Sequence, residues 1–142
     1  MITAGPTREY LDDVRFLSNG SSGRMGCALA EAAMADGHEA WLVLGPVEIA
    51  APPGARVRAV TSALEMQAAA DDWFERCQIA IAAAAVADWR PAHRQPGKPR
   101  HGALARLDLV PNPDIVAGLG ARKGARVVVG FALESLLDDF HV

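Results

Sequence analysis

Nine residues, Ser18 to Gly26 (SNGSSGRMG), combine hydroxyls, one amide, one guanidinium and three glycines. Residues of this kind form turns and let backbone N–H groups approach a ligand closely. They open a helical pattern, and the first amides of a helix attract an anion. That predicted helix carries Arg24 and no carboxylate in its first turn. A later one begins Ser62-Ala63-Leu64-Glu65, a capping box whose own glutamate folds back onto its start. The candidate anion cradle therefore consists of Gly5, Ser21, Ser22 and Gly23. The same residues also fit a helix capped by Ser21 or Ser22 after a flexible loop, and spacing alone favours that plainer reading. The segment matches neither GxGxxG nor GxxxxGK[ST], so dinucleotide and P-loop chemistry are not supported.

Other candidates follow later strand ends. Four alanines, Ala82 to Ala85, leave room for a flat ring, and Asp88 just beyond them could bind a ribose hydroxyl or a divalent cation. Lys98, in the Gly/Pro loop PGKPR, could swing over a triphosphate, although a solvated loop cation is the simpler account. Asn112-Pro113-Asp114 reads as a helix start with Asn112 as cap. Phe131 could line a base pocket or sit in ordinary core. No Ser–His–Asp or Cys–His set is visible. Asp12-Asp13, Asp71-Asp72 and Asp138-Asp139 read as solvated charge. Cys27 and Cys77 read as buried thiols, and His38, His93, His101 and His141 as surface or loop residues without metal-ligand spacing.

The elements that must position these groups are legible as alternating strands and helices. Ile2–Ala4, Glu39–Leu44, Arg56–Val60, Gln78–Ala85 and Arg126–Ala132 read as strands, the fourth covered on both faces. A helix runs from about Ser22 to Asp36 with Met25, Leu29, Ala32 and Ala33 inward and Gly26, Ala28 and Ala30 allowing close packing. A second follows Ser62 with Leu64, Ala68, Ala69 and Trp73 inward, and a third follows Asn112. The residues between Thr7 and Ser18 read as a packed-down loop, 86–102 as a long polar loop, and Leu104–Val110 as an edge strand or flap. This order predicts an α/β, Rossmann-like three-layer sandwich with a mostly parallel central sheet, its ligand beyond the carboxyl ends of the strands. The 142 residues fit one domain, the 51% apolar content a real core, and the net charge of −3 argues against a nucleic-acid partner. No apolar run is long enough for a membrane helix and no signal peptide is evident, so a cytoplasmic protein is expected.

Taken together, ITAGPTREYLDDVRFLSNGSSGRMG, AAAVADWRP, a lysine ten residues after the aspartate, LVPNPDIV and VVGFALES resemble phosphopantothenate–cysteine ligase. That family is also called phosphopantothenoylcysteine synthetase, the second activity of the bifunctional coenzyme A biosynthesis flavoprotein. The resemblance covers nearly the whole chain. It implies that the carboxylate of 4′-phosphopantothenate attacks CTP, giving an acyl-cytidylate, and that the amine of L-cysteine then displaces CMP. By the same resemblance, Asn19 holds the acyl-nucleotide in the second step and Lys98 contacts the nucleotide phosphates in the first. Ala82, Ala83, Ala84, Asp88, Pro113, Asp114, Ile115, Val116 and Phe131 match nucleotide-contacting positions, with Asp88 helping to place Mg²⁺. A homodimer is also implied, Leu104–Val110 being a candidate partner strand, as is a phosphopantothenoylcysteine decarboxylase domain elsewhere in the protein. The family continues past the GFA-E segment with further nucleotide-contacting lysines, and Leu136–Val142 does not resemble that continuation. The chain is thus expected to be a single ligase domain, 1–142, shortened at its C-terminus and slightly at its N-terminus. Arg100 and His101 stand where lysines are frequent. Two other readings stay open: a nucleotide-binding remnant without catalysis, and an NAD(P)-dependent Rossmann oxidoreductase. The absence of GxGxxG weighs against the latter.

Overall fold

A computed structural model describes residues 1–100 and 106–133. In chain order the elements are β1 (Ile2–Ala4), β2 (Arg8–Tyr10), β3 (Phe16–Ser18), α1 (Arg24–Ala35), β4 (Trp41–Leu44), β5 (Arg56–Ala59), α2 (Ala63–Phe74), β6 (Ile79–Ala82), β7 (Trp89–Pro91), β8 (Leu109–Pro111), α3 (Ile115–Ala121) and β9 (Val127–Gly130). Five strands form one parallel sheet in the order β5-β4-β1-β6-β9. The expected α/β architecture is correct. Strand alternation builds the two interfaces. Ile2, Ala4, Leu42 and Leu44 pack with Cys27 and Ala30 of α1, while Val43 and Ala80 pack with Met66, Phe74 and Leu119 of α2 and α3.

The helices turn different faces inward from those expected. In α1 the buried stripe is Gly26, Cys27 and Ala30. Met25 is exposed, as are Ala28 and Ala32, while Leu29 and Ala33 are half-buried. The reason is proximity. A Cβ on Gly26 would collide with the Cβ of Ala4, so α1 lies too close to β1 for anything larger. In α2, Ala69 and Trp73 are buried as expected, but Leu64 and Ala68 face outward and Met66, Ala70 and Phe74 complete the stripe. The capping box forms as read. In α3 the cap is Asp114, whose carboxylate accepts from Ala117 N at 2.8 Å, and not Asn112. Strand β6 is not covered on both faces: Ile79 is 44% exposed.

Two short antiparallel pairs involve segments read as loop, β2, β3 and β7, whereas β8 falls at the end of the segment Leu104–Val110 read as an edge strand or flap. Strands β2 and β3 form a hairpin from Arg8↔Ser18 to Tyr10↔Phe16. Its turn is held by Asp12, which is fully buried and not solvated as expected. Asp12 Oδ1 accepts from the backbone N–H of Val14 and Arg15, both at 2.7 Å, and Oδ2 accepts from Arg15 Nε at 2.6 Å. Asp13 also has partners, Arg94 and Gly97. Asp71 pairs with Arg122 and Asp72 with Arg58; Asp138-Asp139 lies outside the described residues. Strand β7 rises out of the presumed polar loop 86–102 and pairs with β8. Leu109 and Val110, expected to seek a second chain, thus already have a partner strand in their own; the start of that predicted strand lies outside the described residues.

Desolvation pushes the Asp12 carboxyl toward its neutral form, but hydrogen bonds from Arg15 N, Val14 N and the Arg15 guanidinium outweigh it and hold its pKa below the ordinary aspartate value. A depressed native pKa means that the unfolded chain takes up the proton first. The contribution of Asp12 is complete above about pH 5 and is lost as pH falls through its native pKa. In acid titrations of stability, Asp12→Asn should flatten this part of the slope; an unchanged slope would refute the assignment. The helix seat makes a paired prediction. Gly26→Ala should lose about 1–3 kcal/mol in chemical denaturation despite the better helix propensity of alanine. Gly118→Ala, inside α3 with no atom within 4 Å of the added methyl, should gain up to about 1 kcal/mol.

Candidate functional site

The carboxyl end of β1 is where the candidate residues begin to gather. Gly5 turns with φ +78°, and the chain then runs on beside the continuation of β6, with Pro6 bridging Ala85 in parallel. Ala85 N donates to Gly5 O at 2.9 Å, and Ala87 N donates to the buried Thr7 hydroxyl at 3.0 Å. Ser18 Oγ closes the root of the hairpin by donating to Thr7 O at 2.7 Å. The next residue is Asn19. Its Nδ2 donates to Val86 O at 3.0 Å and Ala85 O at 3.4 Å, fastening an exposed side chain to the end of β6.

Gly23 then caps α1 in the left-handed conformation, φ +75°, with no side-chain cap. This corrects the expectation that Ser21 or Ser22 caps the helix. The serine oxygens instead accept from amides two residues on, Ser21 Oγ from Gly23 N at 3.4 Å and Ser22 Oγ from Arg24 N at 3.5 Å. A methyl on Gly23 would come within 2.8 Å of Val47 Cγ1 and 3.5 Å of Gly5 Cα. The start of α1 therefore lies against the Gly5 turn, both glycines packing beside the Val47 side chain without one of their own. The N-terminus of α2 is the opposite case. Ser62 and Glu65 cap it, and the buried Glu9 of the hairpin accepts from Ala63 N at 2.9 Å. One helix start is saturated by acceptors from the protein; the other has neither an acidic first-turn residue nor a side-chain cap.

The far side of this region is built by β6, β9 and α3. Ala82 is buried and Ala83 and Ala84 are half-buried, so the end of β6 carries little bulk. Phe131 N donates to Ala82 O at 3.0 Å, which sets the half-exposed Phe131 beside it. Val116 lies over Gly130, whose added Cβ would be 3.2 Å from Val116 Cγ1, and is itself partly exposed. Pro113 is half-buried. The side chains of Asp114 and Ile115 are already engaged, one as the helix cap and the other in the core beside Leu119.

Asp88 is exposed just past β6, and Asn112 pins the backbone there: its N donates to Asp88 O at 2.7 Å and its Nδ2 to Ala87 O at 2.8 Å. That duty explains why Asn112 does not cap α3. Among the described residues no group of three or more His, Cys, Asp or Glu could hold a metal ion. A lone carboxylate suits Mg²⁺ that arrives already carried by phosphates, a common arrangement for this ion.

Lys98 is exposed and stands apart from Asn19. Its loop is fastened to the tip of the β2–β3 hairpin by Asp13, while Asn19 lies at the root. Three-residue strands separate the tip of the hairpin from its root by about 10 Å. The positioning residues Thr7, Glu9, Asp12, Asp13 and Asn112 were not singled out for such roles from sequence. The clearest available signal was the placing of Tyr10 and Leu11 amid the polar residues of TREYLDD, which implies a segment that packs down onto the protein.

A cavity of about 570 Å³ lies at the amino ends of the strands, between Met1, His38, Trp41, Cys77 and Ile79. Cys27 is buried, and burial together with nearby Glu31 raises its thiol pKa, so it is poorly reactive. Cys77 is only half-buried, contrary to expectation, and its Sγ donates to Trp73 O. His38 and His93 are exposed as read; His101 and His141 lie outside the described residues. Among the described residues no helix is long and apolar enough to cross a membrane.

Comparison with known proteins places this arrangement. The family profile described as DNA/pantothenate metabolism flavoprotein C-terminal domain matches residues 1–139. The coenzyme A biosynthesis bifunctional protein CoaBC of Escherichia coli is 49% identical over 140 residues, covering 95% of this chain and 34% of that protein. Its counterpart in Bacillus subtilis is 42% identical over 140 residues, again 95% and 34%. The chain thus spans about a third of the length of these relatives. A crystal structure of the C-terminal domain of CoaBC superposes with a TM-score of 0.84 at 38% identity, over 95% of this chain and 64% of that one. A Cab2 mutant in complex with phosphopantothenate-cysteine shares the fold, with a TM-score of 0.60 at 18% identity over 78% of this chain and 56% of that one. The chain belongs to the DNA/pantothenate metabolism flavoprotein C-terminal domain family.

Proposed function

We propose that this domain is the ligase of coenzyme A biosynthesis that joins 4′-phosphopantothenate to L-cysteine at the expense of CTP. The observation that carries the reading is the pairing of two features at one strand edge: the α1 start that no side chain caps, and Asn19 held beside it on the end of β6. The family assignment and the bifunctional CoaBC relatives support it. So does the complex of a protein of the same fold with phosphopantothenate-cysteine.

In the first step the carboxylate of 4′-phosphopantothenate attacks the α-phosphate of CTP, and the P–O bond to pyrophosphate breaks. The helix start and the Gly5 turn offer amides and a positive dipole to phosphate groups. Lys98 offsets charge on the departing pyrophosphate. The low-bulk edge at Ala82–Ala84, with Val116 and Phe131 beside it, receives the cytidine, and the backbone around Pro113–Ile115 borders it. Mg²⁺, carried by the nucleotide and steadied by Asp88, would neutralise phosphate charge. In the second step the cysteine amine adds to the acyl carbon, gives up its proton, and the C–O bond to CMP breaks. By turning the Nδ2 hydrogen of its longer bond away from Ala85 O, Asn19 would hydrogen-bond the acyl phosphate in this step without adding negative charge that would repel it.

The same reading includes a cytoplasmic setting, a decarboxylase domain in the complete protein and a homodimer. The β7–β8 ribbon, with Trp89 53% and Leu109 42% exposed, is the apolar surface offered to a second copy.

Mixing the protein with CTP, Mg²⁺, 4′-phosphopantothenate and cysteine should release CMP and form the cysteine amide. CTP that raises the melting temperature without CMP release would reduce the domain to a nucleotide-binding unit, and a preference for NADPH over CTP would reject the reading altogether. Asn19→Asp should still release pyrophosphate but form amide at least about 100-fold more slowly, so acyl-cytidylate accumulates. Loss of pyrophosphate release with normal binding of the intermediate would show that Asn19 serves the first step instead.

A further inference from the structure

The loop that carries Lys98 is fixed to the hairpin tip by one residue. Asp13 N donates to Gly97 O at 3.1 Å, and Gly97 N donates back to Asp13 Oδ2 at 2.9 Å. The other carboxylate oxygen, Oδ1, accepts from Arg94 Nη2 at 2.9 Å. Two residues back on each segment, Gln95 N donates to Leu11 O at 2.7 Å, and the Arg94 guanidinium lies 5.1 Å from the centre of the Tyr10 ring. Backbone and side chain of Asp13 thus grip both polar groups of Gly97, and Arg94 on the same loop closes the grip from the other side.

Gly97 is built for this grip. Its φ is +66°, and a Cβ added there would meet nothing within 4 Å. Glycine is required for the backbone turn and not for space. Residue 97 is therefore a fixed point, and Lys98 is the first residue beyond it. A lysine on a free Gly/Pro loop explores a large volume, and each residue that must be ordered on binding costs affinity. A lysine whose preceding residue is held by two hydrogen bonds starts from one place.

We infer that Asp13 is a positioning residue for Lys98: it acts through Gly97 to fix where the lysine leaves the hairpin, and so tunes affinity for the nucleotide phosphates. This rests on the assignment of Lys98 to those phosphates. Asp13 does not touch the nucleotide itself, and its negative charge is balanced by Arg94.

The test joins two measurements on the whole chain. Amide hydrogen exchange should find the Gly97 N–H protected in the wild type and unprotected in Asp13→Ala, with an unchanged melting temperature confirming that both fold. Titration with MgCTP should show Asp13→Ala binding roughly fivefold more weakly, the cost of ordering one backbone residue anew. Asp13→Asn, which keeps a carbonyl oxygen for Gly97 N–H, should restore most of the affinity. In the Lys98→Ala background, Asp13→Ala should cost nothing further. An unprotected Gly97 in the wild type, or an Asp13→Ala loss that adds in full to that of Lys98→Ala, would overturn the inference. If Lys98→Ala weakens binding and Asp13→Ala does not, the positioning role alone fails. If Lys98→Ala binds MgCTP normally, the lysine assignment fails and takes the positioning role with it, leaving a purely structural clasp.

Discussion

Helix α1 meets the sheet where two pairs of residues lack bulk: Gly26 against Ala4, and Gly23 against Gly5. This contact sets the height of the helix above β1, and most of the candidate site follows from that height. The dipole of a helix acts mainly over its first turn. A helix lifted by the thickness of ordinary side chains would direct its amides into solvent and not over the Gly5 turn. The same closeness determines composition along the rest of α1. Gly26 takes the sheet side because nothing larger fits there, the small Cys27 and Ala30 are buried beside it, and the larger Met25 is left outside. The gain from burying a large side chain is forgone here in favour of an approach that only small residues permit.

The polar groups around this contact divide into those that are spent and those that are not. Thr7, Glu9 and Asp12 are buried, and each is matched with donors from the protein: Ala87 N, Ala63 N, and the Val14 and Arg15 amides with the Arg15 guanidinium. Burial without those partners would be expensive, so their hydrogen bonds fix the hairpin and its attachment to α2. The groups left exposed are Asn19, Asp88, Lys98 and the uncapped start of α1. The first three hang from backbone that the spent residues, the half-buried Asn112 or the exposed Asp13 hold in place. Scaffold and candidate site are thus separated by whether a polar group is already paired within the protein, even though both are built from the same residue types within a few positions of each other.

That division explains what the sequence disclosed. Strands β1, β4, β5, β6 and β9 were legible because parallel sheets concentrate apolar residues in short runs, and α2 because its capping box is local. The hairpin was not, because its turn depends on a buried aspartate and its strands are three residues long. Of the β7–β8 ribbon only the second strand was, as part of an edge strand or flap, because the two strands are separated by a long stretch of chain and only their pairing defines the first. The faces of α1 and α2 were misjudged by reading apolar spacing without knowing how close each helix comes to the sheet. For the site, Gly5, Ser21–Gly23, Asn19, Ala82–Ala84 and Phe131 do converge near one strand edge. The role of Asp13 needed the fold, because its partners lie 81 and 84 positions away.

The different anchoring of Asn19 and Lys98 then fits the order of the proposed reaction. Asn19 is tied to two carbonyl oxygens of the β6 continuation, a rigid part of the sheet edge, whereas Lys98 belongs to a loop anchored at the hairpin tip. Under the ligase reading, the activating step needs extra positive charge only while pyrophosphate departs. The acyl transfer that follows needs a neutral donor that does not move, since the mixed anhydride must stay in register for the incoming amine. A cation fixed permanently beside Asn19 would hold pyrophosphate as firmly as it held the triphosphate and would slow its release. Placing the lysine on a tethered loop, one clamped peptide away from a hairpin, supplies charge from a defined origin without building it into the floor of the site.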